Sequence, residues 1–285
     1  MKKSYKIAII PTIKASLNLA FENKKTVFLL GWITLLFLLC FDVLNRYFSI
    51  VYTISEFIKL SDTDRYITII IETLIIVPFI VGLYRFYILN ENNLQEFKYQ
   101  RGITEQRIIF RIFWYFKFHK REIFFFIPYV FIAILFLFLH ESVTDILIEM
   151  LNFDSGLTKT NSYIYTLAHY FITFIDDLVF ASMILVWVYL AVSNKPRIQK
   201  TPDLIKMIKG NIFRVYLVGL IIYLPVYSIG ILLIIIHWIA PSNQMNALFF
   251  EFFYALETTI YFTCVCVEIA FISLIYQGLI ERNKP

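Results

Sequence analysis

Apolar residues along this chain run in long unbroken blocks, without the one-sided or alternating patterns of a water-soluble fold. A helix needs roughly 20 mostly apolar residues to cross about 30 Å of hydrocarbon. Six stretches meet that demand: Val27–Leu44, Tyr66–Leu89, Ile123–Leu139, Ile164–Ser193, Val215–Ile239 and Ala247–Leu279. From Val215 to Phe250 no residue is charged, which leaves room for one span and a turn at Ala240-Pro241-Ser242-Asn243. Strands of a membrane β-barrel alternate polar and apolar residues, whereas Ile221-Ile222 and Ile231–Ile236 are continuously apolar. The pattern therefore predicts an all-α polytopic membrane protein, one integral membrane domain over residues 1–285 with six transmembrane helices.

The polar residues between these blocks divide the chain into three units, each a short basic amphipathic lead-in followed by a helical hairpin. The units run from about Thr12 to Asn90, from Thr104 to Asn194, and from Thr201 onward, with lead-ins Ile13–Lys25, Thr104–Arg121 and Pro202–Arg214. The third lead-in carries a helix-start signature: Thr201 as N-cap, Pro202 at the first helical position and Asp203 in the first turn. Leu204, Ile205, Ile208 and Ile212 make its apolar face, with Lys206 and Lys209 off it. In the second, Arg107 and Arg111 sit one turn apart among Ile108, Ile112, Phe113, Trp114 and Phe116. Such a segment fits a helix lying in the membrane interface, with Arg107, Arg111, Lys117, Lys120 and Arg121 reaching anionic headgroups. The alternative is a cytoplasmic extension of the third span that serves as a positive-inside anchor.

Composition agrees with the pattern and removes other classes. At 59% hydrophobic and 16% charged residues, the chain departs from soluble averages of about 45–50% and 25% in the same direction. A soluble enzyme, a nucleic-acid-binding domain, a disulfide scaffold and a disordered chain are excluded. Basic residues set the orientation through the positive-inside rule. The N-terminal segment, the second-to-third connection from Arg85, the fourth-to-fifth connection and the tail together hold 22 of the 26 Lys and Arg. Only Arg46, Lys59, Arg65 and Lys159 fall on the other side. Both termini are expected in the cytoplasm. The first apolar run follows a basic lead with no small-residue cleavage motif after it, so a retained span is expected there. Cys40, Cys264 and Cys266 all lie within spans and are expected to be free thiols, with no metal-thiolate site.

The stretch Thr201-Pro202-Asp203-Leu204-Ile205-Lys206-Met207-Ile208-Lys209-Gly210-Asn211-Ile212-Phe213-Arg214, with Ala15-Ser16-Leu17 as a fainter echo, resembles the amphipathic lead-in of a loose bacterial superfamily of six-helix inner-membrane proteins. That superfamily includes the membrane domain preceding some glycerophosphodiester phosphodiesterases. The resemblance implies a six-helix bundle in the inner membrane. The fused hydrolase is a separate cytosolic barrel, and this chain ends shortly after its last apolar run. No phosphodiesterase activity and no catalytic residue are expected to carry over.

Ionisable residues inside membrane segments are costly and mark sites by default. Glu268 lies nine residues before Gln277, or roughly 14 Å into the bilayer at 1.5 Å per residue. Glu72 is a second carboxylate of intermediate depth. Glu257, Tyr261, Cys264 and Glu268 follow spacings of 4, 3 and 4, which puts them on one helical face. That stripe serves either interior packing or a proton- or cation-accepting site. Asp42, Asp176, Asp177, Glu257, His169 and His237 cluster by depth at the opposite boundary, although charges at helix ends emerging into water are cheap. His119 and the basic lead-ins point to headgroups. Pro78, Pro128 and Pro225 each interrupt a span, as the broken helices of transporters do.

Neither a phosphate-binding glycine loop, a nucleophile elbow, HExxH nor GxGxxG is present. No enzyme activity, cofactor, metal or nucleic-acid partner is expected. Three readings stay open: a non-enzymatic inner-membrane protein of membrane or lipid homeostasis, a small proton- or cation-coupled transporter or channel using Glu268 and Glu72, and a subunit of a membrane complex.

Overall fold

The computed structural model describes residues 6–48, 64–89, 181–193, 200–239 and 247–282, with scattered positions at 120–131 and 174–179. Every element among them is helical: α1 (Ile9–Glu22), α2 (Lys24–Phe48), α3 (Asp64–Leu89), α4 (Ala181–Val192), α5 (Thr201–Ile208), α6 (Ile212–Ile239) and α7 (Ala247–Arg282). Four are long and apolar enough to cross a membrane, over Lys24–Leu44, Ile70–Leu89, Ile212–Leu232 and Phe252–Ile280. They correspond to the first, second, fifth and sixth apolar blocks. Most of the third block and of the first part of the fourth lies outside the described residues, the scattered positions described there being helical, and α4 is the end of the fourth.

α7 is the axis of the assembly and packs against α1, α2, α3 and α6. From Cys264 to Val267 and again from Ile269 to Ser273 its side chains are buried without a break, so neighbours cover it on every side. A helix apolar all round belongs in such a place. α6 behaves differently: Ile221, Leu224, Tyr227, Ile231 and Leu232 are exposed, an apolar surface suited to lipid.

Three helices meet where Gly31 of α2 faces Phe79 of α3 and Phe262 of α7. The two rings stack with centroids 4.7 Å apart. A Cβ on Gly31 would stand 2.6 Å from Phe262 Cζ and 2.7 Å from Phe79 Cε2. The missing side chain is what lets α2 approach, the usual use of glycine between membrane helices.

At the lead-in end, α1 buries Ser16 and Ala20 and leaves Ile10, Lys14, Leu17 and Phe21 exposed. Its hydroxyls turn back on their own helix, Thr12 to the Ala8 carbonyl at 2.5 Å and Ser16 to that of Thr12 at 2.7 Å, which satisfies them in apolar surroundings. Asn23 ends the helix, its Nδ2 donating to the Leu19 carbonyl at 2.8 Å, and α2 begins at the next residue. α5 and α6 repeat this arrangement, with Lys209, Gly210 and Asn211 between them. Gly210 adopts φ 119°, in the region that penalises a Cβ.

Several boundaries differ from the sequence reading. The first lead-in helix starts earlier, at Ile9, and Lys24 and Lys25 already belong to α2. Arg214 likewise lies inside α6 and not in the third lead-in. Thr201 is not the N-cap: Lys200 has helical dihedrals, φ −83° and ψ −14°, so Thr201 is already helical, and the cap position makes no side-chain bond. Pro78 and Pro225 do not break their helices. Each removes one N–H donor, and the neighbouring turns hold the helix together.

Candidate functional site

The far end of α2, the start of α3 and the first half of α7 meet away from the lead-in helices. A cleft of about 540 Å³ opens there, lined by Asp42, Glu72, Thr73, Tyr254, Glu257, Thr258 and Tyr261 with Leu38, Ile76 and Val226 behind them. Thr258 Oγ1 donates to Asp42 Oδ2 at 2.9 Å, tying α7 to α2. Glu72 is within electrostatic range of Asp42. Three carboxylates from three helices thus share one cleft. Among the described residues no group of His, Cys, Asp and Glu is spaced to hold a metal ion.

Glu268 lies deeper, 12 residues before the end of the apolar stretch at Ile280, or about 18 Å along the helix. Tyr223 Oη of α6 donates to its Oε2 at 2.6 Å, within the range of a good O–H···O bond. Tyr84 of α3 and Cys264 of α7 lie within electrostatic range of it. Tyr261 connects the two levels. It lines the cleft, its ring lies 6.0 Å from that of Tyr223, and it is within electrostatic range of both Glu268 and Glu72. The arrangement is a series of oxygen-bearing side chains from the cleft to mid-helix: carboxylates, then two phenols, then a carboxylate.

The stripe Glu257, Tyr261, Cys264 and Glu268 therefore serves two places. Its first two members face the cleft, Cys264 is buried, and Glu268 meets Tyr223. Glu72 joins Asp42 and Glu257 in the cleft, with Tyr261 between it and Glu268. His140, His169, Asp176 and Asp177 lie outside the described residues, as does the side chain of His237. So do Arg107, Arg111, Lys117 and His119; Lys120 and Arg121 are helical and exposed. The cysteines are free, Cys264 and Cys266 buried and Cys40 exposed. Arg85, counted from sequence with a polar connection, is instead buried within α3. Its Nη1 reaches the Ala191 carbonyl at 3.4 Å, in the last turn of α4, where the helix dipole favours a cation.

Sequence reasoning overlooked Tyr223, one tyrosine among 19. Depth would have found it. Tyr223 is 11 residues into α6, about 17 Å, matching Glu268 on the next antiparallel helix, and a buried phenol needs a hydrogen-bond partner.

Comparison with protein-family models, with characterised proteins and with solved structures yields no match to this chain.

Proposed function

We propose that this chain is a non-enzymatic membrane protein that takes up a proton or small cation through the acidic cleft and holds it at Glu268. The observation that carries the reading is the Tyr223–Glu268 hydrogen bond at mid-helix depth, joined through Tyr261 to a cleft bearing Asp42, Glu72 and Glu257. An intramembrane carboxylate is expensive to keep, and connection to a carboxylate-lined cleft gives it a use that packing alone does not need. The proposal includes six spans in three hairpins, placed in the inner membrane as the superfamily resemblance implies. The matching of α1–α2 by α5–α6 supports that repeat.

Flux through proteoliposomes tests it. With a pH-sensitive dye sealed inside, vesicles carrying the wild-type chain are expected to dissipate an imposed proton or alkali-cation gradient faster than empty vesicles. Glu268→Gln abolishes that excess, and Glu72→Gln reduces it. Equal rates for wild type, Glu268→Gln and empty vesicles would reject the reading.

A role in lipid homeostasis has its own support in the lead-in end. There α1 presents Ile10, Leu17 and Phe21 together with Lys14, the mixture that suits an interfacial helix on anionic lipid.

A further inference from the structure

A second groove, of about 510 Å³, lies at the opposite end of the bundle from the acidic cleft. It is formed by Ile9, Ile10 and Pro11 from the first turn of α1 and by Phe213, Arg214 and Leu217 from the start of α6. Among the described residues of this lining Arg214 is the charged one, and its Nη1 donates to the Ile7 carbonyl. The other face of the same peptide segment is held by Asn211, whose Oδ1 accepts from the Ile7 N–H at 2.9 Å. These two bonds fix the backbone at Ile7, next in sequence to Lys6, and Lys209 lies two residues before Asn211; both lysines are exposed.

Basic residues predominate here, with Glu22 at the far end of α1 and Asp203 in the first turn of α5 as the acidic residues of the two lead-in helices. The segments that build the groove contain no Asp or Glu from Met1 to Phe21 or from Leu204 to Phe250. Over the same residues they carry Lys2, Lys3, Lys6, Lys14, Lys206, Lys209 and Arg214. Below the groove, Phe213, Leu217 and Leu224 follow one another on one face of α6, and Phe213 and Leu224 are exposed. That is about 17 Å of apolar helix surface.

We infer that this groove holds one anionic phospholipid: its phosphate against Arg214 and Lys6, one acyl chain in the groove and along the Phe213–Leu224 stripe. Among the described residues the Arg214 guanidinium donates to the Ile7 carbonyl, and its other N–H groups form the kind of fork that fits a phosphate oxygen pair. The apolar floor beside it excludes a soluble phosphate as the best-fitting ligand. The site is separate from the Glu268 carboxylate and holds whether or not that group moves cations.

Lipid retention decides it. The full chain is reconstituted in vesicles containing equal amounts of phosphatidylcholine and phosphatidylglycerol, re-extracted in detergent and weighed by native mass spectrometry. Wild type is expected to keep one phosphatidylglycerol in preference to phosphatidylcholine. Arg214→Gln lowers that retention about tenfold or more, the loss of a charge-assisted contact. Because Arg214 also ties down Ile7, a second variant, Ile10→Trp, fills the groove from an exposed position while leaving the guanidinium in place. Its retention falls as well, with the thermal melting point unchanged. Equal retention of the two lipids by wild type, or undiminished phosphatidylglycerol on folded Ile10→Trp, overturns the assignment.

Discussion

Tyr223 and Glu268 are hydrogen-bonded in a part-buried position midway along α6 and α7. Removing one partner of a buried hydrogen bond leaves the other unsatisfied, at a cost of about 1–3 kcal/mol, whereas replacing both by apolar groups is nearly neutral. Tyr223→Phe is therefore expected to destabilise the detergent-solubilised protein by about 1–3 kcal/mol. Adding Glu268→Leu to that variant should recover part of the loss, giving a coupling energy in a double-mutant cycle of thermal or denaturant melts. Strictly additive effects would show that the two side chains do not interact. Glu268 could be read from the sequence because a carboxylate in an apolar run stands out. Tyr223 could not be picked out by residue type alone, since phenols are frequent throughout this chain and only pairing by depth distinguishes it. The cleft was half readable. Asp42 and Glu257 were grouped by their height on their helices, but Glu72 was counted as deeper because the apolar block gave no sign of where α3 enters the bilayer.

Helix contacts depend on shape, which hydrophobicity does not encode. Gly31, Gly219 and Gly230 all sit within apolar helices, yet a Cβ on Gly31 would press into two stacked rings while Gly219 and Gly230 have open space around them. Gly31→Ala is expected to cost about 1–3 kcal/mol by overpacking. Gly219→Ala should be neutral or slightly stabilising through helix propensity. Paired melts of the two variants check this, and a Gly31→Ala protein as stable as Gly219→Ala would mean that α2 does not sit tightly on α3 and α7. The same limit explains which boundaries the sequence yielded. The existence and type of α2, α3, α6 and α7 followed from block length. The breaks at Asn23 and at Lys209–Asn211 are set by backbone dihedrals and by an asparagine side chain, features to which an apolar pattern is blind. Thr201 had the right residue type for a cap, but the preceding Lys200 had already turned helical.

The two lead-in helices also constrain the path of the whole chain. Ile7, just before α1, is bonded by Asn211 and Arg214 at the start of α6, so α2 and α6 leave from the same end of the bundle. Asp42 near the far end of α2 shares the cleft with Glu72 near the start of α3 and Glu257 near the start of α7. α3 and α7 therefore both return to the lead-in end, where Gln277 Nε2 meets the Tyr87 carbonyl at 3.0 Å. α3 finishes at that end and α5 begins there, so the proposal of six spans requires two crossings between Leu89 and Lys200. Two crossings agree with the apolar blocks at Ile123–Leu139 and Ile164–Ser193, and they put Lys159 opposite Lys209. Zero crossings would put both on one side. Single cysteines at these positions, in a chain whose Cys40, Cys264 and Cys266 are replaced by alanine, separate the two outcomes. A membrane-impermeant maleimide is expected to label Lys159→Cys in intact cells and Lys209→Cys only after permeabilisation. That direction is the one the lysine and arginine bias leads one to expect, whereas two crossings alone require only that the two positions differ. Labelling of both from the same side would reduce the protein to four spans. Labelling of Lys209→Cys alone in intact cells would keep six spans and invert them.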